Sequence, residues 1–339
     1  MREHRRVHVC GNGSKHVSPL SGYVALSTAA LRGVIEYQPS EFVITVAAGT
    51  PVAEVNALLA SHGQYLPFDP LFVESGATIG GTIAMNACGP ERYRFGGARD
   101  FVIGVRFIEG NGELVRGGGK VVKNAAGFDY PKLFVGSCGR LGLIVELSFK
   151  VFPKPEAYAS LRVSLPSLED ALALLPKLTN CPYDLNAVDL VIENHTRTTL
   201  WVRVGGIAEA LPRRMDRVRA LVGSGEVLSG PEEEHFWNNM REMRWMESGD
   251  VLVKVPLTPR WIPALDARIA RWKRRYSVGG NVAWIATPSL AETDAVLTSL
   301  RLSGLVLRSQ APDPHIGYRP FNPFAERIKR ALDPLNKFG

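Results

Sequence analysis

The sequence predicts an α+β protein built from two domains. Glycine is dense in the first half, with seven glycines from Gly76 to Gly104. Such density is typical of backbone that bends tightly or approaches a ligand closely. In the second half, strands and helices alternate in two β-α-β rounds, which indicates a split, ferredoxin-like α+β layer. The stiff segment Pro153-Lys154-Pro155 separates the halves, so we predict domains at residues 1–155 and 156–339.

The first candidate binding element is the turn Gly11-Asn12-Gly13-Ser14-Lys15, which follows a short alternating strand. Consecutive backbone N–H groups in such a turn form a concave anion nest, and the lysine adds a positive charge. A Rossmann unit is disfavoured, because a chain break rather than a helix follows the turn and the third glycine of that motif is missing.

The glycine-rich stretch 74–97 offers backbone rather than side chains to a ligand. The polar residues between its glycines, Thr78, Thr82 and Asn86, are small. They suit a large, flat, phosphate-bearing cofactor, although a string of tight turns in a β-rich domain fits the same pattern. A third glycine loop, at 136–142, precedes an apolar strand. A dinucleotide explains three such segments in one half of the chain better than three unrelated turns.

The remaining elements follow from propensity and capping. Strands are predicted at 24–27, 34–37 and 42–47, then a helix with Thr50 as its N-cap, then a hairpin turning at Gly110-Asn111-Gly112. In the second half, Ser167 caps a helix, and further helices are predicted at 209–222, 260–276, 289–302 and 324–332. Segment 232–246 is dense in Trp and Met, which indicates a buried helix or, alternatively, a surface for a partner subunit.

Composition narrows the function classes. The net charge of +7 is not concentrated in one half of the chain. Residues 1–155 contain 16 Lys and Arg against 12 Asp and Glu. The basic clusters at 213–219 and 271–275 are interpreted as solvated helix faces, so no nucleic acid is expected. The four cysteines form no Cys-x-x-Cys pair, so we predict neither an iron–sulfur nor a metal site. No apolar run is long enough to span a membrane, and a cytoplasmic location is expected.

Taken in order, these motifs resemble flavoproteins of the vanillyl-alcohol oxidase and p-cresol methylhydroxylase type. The matching segments are 11–15, 78–81, 86–89 with Arg99 and Asp100, 122–129, and 135–142. Within that superfamily, the chain looks most like the small FAD-binding subunits of glycolate oxidase. The resemblance is strongest over residues 42–155.

This resemblance implies a two-subdomain FAD-binding domain of the p-cresol methylhydroxylase type, followed by a ferredoxin-like cap over the flavin. We expect non-covalent FAD, because the histidine that attaches the ring in some relatives aligns with Ser14 rather than His16. The residues expected to bind the cofactor are Gly11, Asn12, Gly13, Ser14, Lys15, Pro67, Thr78, Ile79, Gly80, Gly81, Asn86, Gly89, Gly139, Gly142 and Ile144. Lys123, Asn124 and Asp129 match a family motif and are interpreted as a buried polar turn.

No catalytic residue is predicted. The seven histidines lack both metal-ligand spacing and the His-x-Gly-x-Gly-x-x-His pattern of the family's large subunits. By resemblance, His315 alone has a plausible active-site position, although a loop histidine is more typical of a solvated surface. The resemblance also predicts truncation at both termini, because the first strand begins almost at once and little follows Asp333-Pro334.

The resemblance therefore implies an FAD-binding subunit of a glycolate oxidase complex. A large FAD-containing subunit would oxidise glycolate to glyoxylate, and an iron–sulfur subunit would pass the electrons on. Partner subunits are also the expected route for any membrane contact. Two alternatives stay open: a stand-alone FAD-dependent 2-hydroxy acid oxidoreductase, and a structural subunit with a decayed FAD site.

Overall fold

The computed structural model describes residues 6–15, 22–119, 128–194, 197–308 and 313–339. Helices and strands are mixed along the whole chain, which confirms the predicted α+β class. Within these ranges, no helix combines the length and the apolar character that a membrane crossing requires.

The first half is organised around a five-stranded antiparallel sheet, counted over the described residues, with strand order β3-β4-β8-β6-β7. The strands of this half are β1 (Arg6–Cys10), β2 (Tyr23–Ser27), β3 (Val34–Gln38), β4 (Val43–Ala47), β5 (Gln64–Tyr65), β6 (Val102–Ile108), β7 (Leu114–Gly118), β8 (Leu143–Lys150) and β9 (Phe152–Pro153). Its helices are α1 (Val52–Ala60), α2 (Ile79–Ala84), α3 (Arg92–Phe95), α4 (Ala98–Phe101) and α5 (Tyr130–Phe134). β1 and β2 pair in parallel beside this sheet, and β5 pairs with β9.

The second half contributes a larger antiparallel sheet. Its strands are β10 (Ala157–Leu165), β11 (Ala187–Asn194), β12 (Arg197–Gly206), β13 (Glu226–Ser229), β14 (Val251–Pro256), β15 (Lys273–Ser277), β16 (Val282–Thr287), β17 (Ser303–Arg308) and β18 (His315–Gly317). Its helices are α6 (Leu168–Thr179), α7 (Leu211–Val222), α8 (Gly230–Arg241), α9 (Ile262–Ile269), α10 (Leu290–Ser299) and α11 (Pro323–Leu332).

The strand order of this large sheet is β13-β10-β12-β11-β15-β16-β14-β17-β18. Each run of four strands with its two helices has the order of a ferredoxin-like unit, in which the first and third strands lie in the middle. The two units join edge to edge where β11 pairs with β15. In sequence, the strands of the five-stranded sheet precede residue 155 and the strands of the large sheet follow it. Even so, Trp284 and Leu252 of the large sheet pack into the core of the first half, and α11 contributes Leu332 to that core.

Three local predictions are wrong. The helix predicted at 260–276 ends at Ile269, and residues 273–277 form β15 instead. In that strand, Arg274 binds Asp266 through two hydrogen bonds of 2.6 and 2.8 Å, while Arg275 is buried on the opposite face. This part of the basic cluster is therefore no solvated helix face, because strand pairing with β11 and β16 buries it.

The second error is the residue predicted to cap α1. The third is that no helix was predicted within the glycine-rich stretch. Pro51 occupies the N-cap position, and the Thr50 hydroxyl instead donates to the Ala47 carbonyl at 2.7 Å, which closes a turn. The stretch at 74–97 is not loop throughout, because it contains α2, whose N-cap Thr78 accepts a hydrogen bond from the backbone N–H of Gly81. In the Trp- and Met-rich segment, α8 buries Glu233 and Trp237 and leaves its other residues partly or fully exposed, while Met243 is buried just after the helix ends.

A buried charge network joins the two halves. Arg203 of β12 donates to both carboxylate oxygens of Glu233 at 2.8 and 2.9 Å and forms an ion pair with Glu91 of the first half. Ser160 also donates to Glu233, at 2.7 Å, and receives the indole N–H of Trp237. All three charged side chains are buried, so the network orients the large sheet against the segment that precedes α3.

We expect Arg203→Ala to lower the free energy of unfolding by about 3–5 kcal/mol, because it leaves two buried carboxylates without a counter-charge. Chemical denaturation followed by circular dichroism measures this change. Arg162→Ala is the matched control on the adjacent strand: its ion pair with Glu226 is solvent-exposed at 3.8 Å, and about 1 kcal/mol or less is expected. Equal losses in the two variants would contradict a structural role for the network.

Candidate functional site

A cavity of about 930 Å³, including its open mouth, lies between β1, α2 and the loop that precedes β8. The residues that line it are His8, Val9, Cys10, Gly11, Asn12, Gly13, Ser14, Lys15, Thr28, Ala48, Thr78, Gly80, Gly81, Ala84, Met85, Cys138, Gly139, Arg140, Gly142, Ile144, Pro314 and Gly339. All three glycine segments found in the sequence therefore meet at one site.

Close packing of glycines builds the wall of this cavity. A Cβ at Gly80 would lie 2.8 Å from the Ala48 Cβ and 2.9 Å from its carbonyl oxygen, so only glycine lets α2 approach the end of β4. The backbone N–H of Gly80 donates to that carbonyl at 2.7 Å. Gly11 approaches Thr78 so closely that a Cβ there would collide with the Thr78 hydroxyl. The turn after β1 is thus held directly against the N-terminus of α2.

The same turn carries a buried cation. The Lys15 side chain is buried, and its ammonium group lies 3.4 Å from the Ser14 hydroxyl. Within the described residues, no carboxylate lies in ion-pair range of it. Burial and the charge of Arg308 lower the pKa of Lys15 to about 7, against the opposing effect of Glu242. An anion placed in the turn would compensate this charge, and Gly13, at φ 72°, gives the turn the backbone shape of a nest.

The structure brings most of the predicted cofactor residues to the cavity. These are Gly11, Asn12, Gly13, Ser14, Lys15, Thr78, Gly80, Gly81, Gly139, Gly142 and Ile144. The amide of Asn12 reaches across to the Gly76 carbonyl at 3.2 Å and so ties the turn to the glycine-rich stretch.

Four predicted residues do not line the cavity. Ile79 and Pro67 are buried, and Ile79 belongs to the core of the first half. Gly89 packs against Asp69, where its N–H donates to the Asp69 carbonyl at 2.6 Å and a Cβ would collide with the carboxylate. Asn86 adopts a positive φ of 46° and closes the turn after α2. These residues shape the loops behind the wall, because their side chains or backbone are committed to packing.

A group of ionisable side chains lies at the α2 C-terminal side of the cavity. The Cys138 Sγ is 3.9 Å from Nε2 of His315, and the His315 Nδ1 is 3.4 Å from the Asp313 carboxylate. Burial raises the pKa of the Cys138 thiol to about 11. Burial also lowers the pKa of His315, although Asp313 opposes this shift. The solvated loop expected for His315 is wrong, because the residue lies in β18 and is partly buried.

Lys254 was not predicted from the sequence. Its ammonium group donates to the Asn86 carbonyl at 2.7 Å, which links the large sheet to the turn after α2. Burial lowers its pKa to about 8. Lys254 stands alone in the apolar strand β14, and that position was the available signal: one lysine inside a core strand requires a polar partner.

The remaining residues singled out in the sequence are not site residues or lie outside the described part of the chain. Asp129 is exposed and caps α5 by accepting from the backbone N–H of Lys132, so the buried polar turn predicted for it is wrong. Lys123, Asn124 and His16 lie outside the described residues. In the part of the chain that the structure describes, no group of three His, Cys, Asp or Glu side chains is placed to hold a metal ion.

Comparisons with known proteins agree with this geometry. Residues 1–118 match the FAD binding domain family. The glycolate oxidase subunit GlcE of Escherichia coli is 33% identical over 330 residues, covering 94% of this chain and 87% of that protein. The chain belongs to the GlcE family of glycolate oxidase subunits. The predicted family, its FAD cofactor and its place among FAD-dependent oxidoreductases are thereby confirmed.

More distant relatives are similar over a smaller part of their length. The glycolate oxidase subunit GlcD of Bacillus subtilis is 29% identical over 248 residues, 68% of this chain and 52% of that protein. A D-lactate dehydrogenase of Anaerostipes hadrus is 32% identical over 158 residues, 47% of this chain and 33% of the enzyme. The chain thus spans most of GlcE, but only about half and a third of these longer proteins.

A solved structure of alkyldihydroxyacetonephosphate synthase has the same fold. The TM-score is 0.70 at 14% identity, and the match covers 98% of this chain and 72% of that one. Because both halves of this GlcE-family chain are covered, the whole architecture is shared with that structure, and at this identity the fold alone is shown.

Proposed function

We propose that this chain binds FAD non-covalently in the glycine-walled cavity and acts as one subunit of a glycolate oxidase complex. The observation that carries the proposal is the buried Lys15 ammonium, which lies in an anion nest at a cavity walled by the three glycine segments. A buried cation without a carboxylate partner is costly unless a ligand compensates it. The pyrophosphate of FAD provides that compensation.

Different parts of the wall have different roles in this proposal. The backbone N–H groups from Gly11 to Ser14, together with Lys15, would bind the pyrophosphate. Thr78, Gly80 and Gly81 give a wall that a flat group approaches without meeting a Cβ, and Gly139, Gly142 and Ile144 form the facing side. We propose that Pro67, Ile79, Asn86 and Gly89 support this wall from behind. The division at residue 155 makes the first half the FAD-binding domain and the second half its cap.

We place the oxidation of glycolate in a large FAD-containing partner subunit and the onward transfer of electrons in an iron–sulfur subunit. When bound, FAD supplies the capacity to accept two electrons from a 2-hydroxy acid, and the protein must supply a base for the proton. The thiol of Cys138, with its pKa raised to about 11, is a poor source of a thiolate base near neutral pH. We expect the complex to be located in the cytoplasm. Any contact with a membrane would be made by the partner subunits.

One observation favours a second function. Asp313, His315 and Cys138 form a chain of contacts that ends at the cavity wall, and an oriented histidine is the commonest general base. A stand-alone FAD-dependent 2-hydroxy acid oxidoreductase would use this histidine. A structural subunit with a decayed FAD site is the third alternative, and the cavity argues against it.

We expect the isolated chain to purify as a yellow protein that releases FAD on acid precipitation and is not bleached by glycolate under anaerobic conditions. The visible absorbance spectrum measures both properties. Bleaching by glycolate would establish autonomous catalysis and reject catalysis in a partner. A folded protein that stays colourless after incubation with FAD would reject the cofactor site itself.

The affinity for FAD should fall as pH rises above about 7. Burial holds the pKa of Lys15 near 7, and a bound pyrophosphate raises it, so binding above that pH takes up a proton. We expect the dissociation constant to rise towards about tenfold per pH unit above pH 7, until the pKa of the bound state is reached. Fluorescence titration of the apoprotein between pH 6 and 9 measures this slope.

Lys15→Met should bind FAD more weakly at pH 6.5 and lose this pH dependence. Lys154→Met, which changes an exposed lysine outside the cavity, is the matched control and should retain the wild-type slope. An unchanged slope in Lys15→Met would show that another group takes up the proton.

Gly80→Ala should weaken FAD binding by about tenfold or more, equivalent to 1.4 kcal/mol, because the new Cβ forces α2 away from Ala48. The matched control is Gly97→Ala, where the nearest atoms belong to the flexible Arg92 side chain at 3.5 Å. The flavin-to-protein ratio after gel filtration measures the difference. Equal flavin content in both variants would contradict the assignment of this wall to the cofactor.

A further inference from the structure

Segment 74–76, which leads towards α2, is held by both halves of the chain. From the first half, the amide of Asn12 donates to the Gly76 carbonyl at 3.2 Å. Gly76 has a positive φ of 80°, and a Cβ there would lie 2.5 Å from the Asn12 amide nitrogen, so this close approach requires glycine. A displacement of the segment would therefore reach the turn that carries Lys15.

Glu242 holds the segment from the second half. Its carboxylate accepts from the backbone N–H groups of Glu74 and Ser75 at 2.9 and 3.1 Å, and from the Ser75 hydroxyl at 2.7 Å. Glu242 is the C-cap residue of α8 and is only 6% exposed. A carboxylate at a helix C-terminus is unfavourable for the helix dipole, so its contacts with the segment, rather than α8, account for its position.

Arg308, at the end of β17, reaches the same segment. Its Nη2 donates to the Ser75 hydroxyl at 3.1 Å, and its guanidinium lies over the Phe72 ring, 4.3 Å from the centroid. Burial lowers the pKa of Arg308, and the charge of Glu242 opposes this shift. The Ser75 hydroxyl thus lies between two side chains of opposite charge, both supplied by the second half.

These two charges also act on Lys15. Burial is the main reason why the pKa of Lys15 is lowered to about 7; the charge of Arg308 lowers it further, and the charge of Glu242 raises it. Arg308 and Glu242 therefore have the same effect on the position of the segment, because both hold Ser75. They have opposite effects on the protonation of Lys15.

Other titratable groups lie around the turn. Burial raises the pKa of the Cys10 and Cys138 thiols in the cavity wall, so both are uncharged near pH 7. Glu74 forms an exposed ion pair with Arg244 at the outer edge of the segment. His8 and Arg140 complete the set in the cavity wall. None of these groups changes between the variants compared below, so their contribution is common to all of them.

We propose that the second half of the chain sets the affinity for FAD, and the pH range over which FAD stays bound, through Arg308 and Glu242 as positioning residues on segment 74–76. This inference rests on the proposed function, because it takes the turn at residues 11–15 as the pyrophosphate site. The two residues act through Ser75 and Asn12 on the shape of that turn, and through their charges on Lys15. Docking of the second half is thereby part of the cofactor site.

The test is fluorescence titration of the full-length apoprotein with FAD between pH 6 and 9. Arg308→Met and Glu242→Gln should both weaken binding at pH 6.5 by about fivefold, the factor expected for one lost hydrogen bond. Removing Arg308 raises the pKa of Lys15, so the pH at which the dissociation constant begins to rise should move up by roughly 0.5. Removing the charge of Glu242 should move it down by a similar amount.

Three further variants separate charge from structure. Arg308→Lys keeps the charge but not the planar fork, so its affinity should fall while the pH of onset stays at the wild-type value. Arg301→Met and Glu234→Gln are the matched controls, because both residues are exposed, one just before β17 and the other in α8. Both should follow the wild-type curve.

Circular dichroism shows whether each variant is folded. Shifts of the onset in opposite directions in Arg308→Met and Glu242→Gln support the proposal. Weaker binding with an unchanged onset, or shifts in the same direction, would show that the two residues only maintain the fold and would overturn it. Wild-type affinity at every pH overturns it as well and leaves the proposed function standing. A folded wild-type chain that does not bind FAD overturns the proposed function itself.

Discussion

The structure depends on contacts that no side chain larger than hydrogen allows. Gly11 lies against the Thr78 hydroxyl, and Gly80 lies against Ala48. Together they bring the turn after β1, the N-terminus of α2 and the end of β4 into one wall. The nest, the buried Lys15 and the cavity all follow from this arrangement, because moving α2 outward by the width of a methyl group would open the wall. The same contacts explain why the site is lined by backbone.

The second half is held on the first through buried polar groups as well as apolar packing. Lys254, Trp284 and Arg275 are neighbours across β14, β16 and β15, and this row faces the first half. Lys254 bonds to the Asn86 carbonyl, and Arg275 forms a buried ion pair with Asp189 at 3.9 Å. Buried charged groups contribute little net stability, but each is satisfied by only a few arrangements of its partners. They therefore orient the large sheet over the turn that follows α2, beside the cavity.

The sequence predicted what depends on local pattern and failed where long-range pairing decides. The glycine segments, the cap at Ser167 and the two ferredoxin-like rounds are local signals, and the structure contains them. The helix predicted at 260–276 failed because pairing with β11 and β16 outweighs the helical propensity of its arginines. The partners of Arg203 and Lys254 could not be predicted, since Glu91 and Asn86 lie far away in sequence. Within the site, residues whose glycine character serves packing, such as Gly89, could not be distinguished from those that face the cavity.

Helix α11 connects the cavity to the outer surface of the molecule. On its inner side, Lys329 binds the carbonyl of Arg140, a residue of the cavity wall. On its outer side it exposes Phe324. Lys329 is half-buried and pairs with the buried Asp333 at 2.6 Å, so the helix holds the loop that contains Arg140 through a group that is shielded from solvent. The second half therefore reaches the cavity through its last helix as well as through the large sheet.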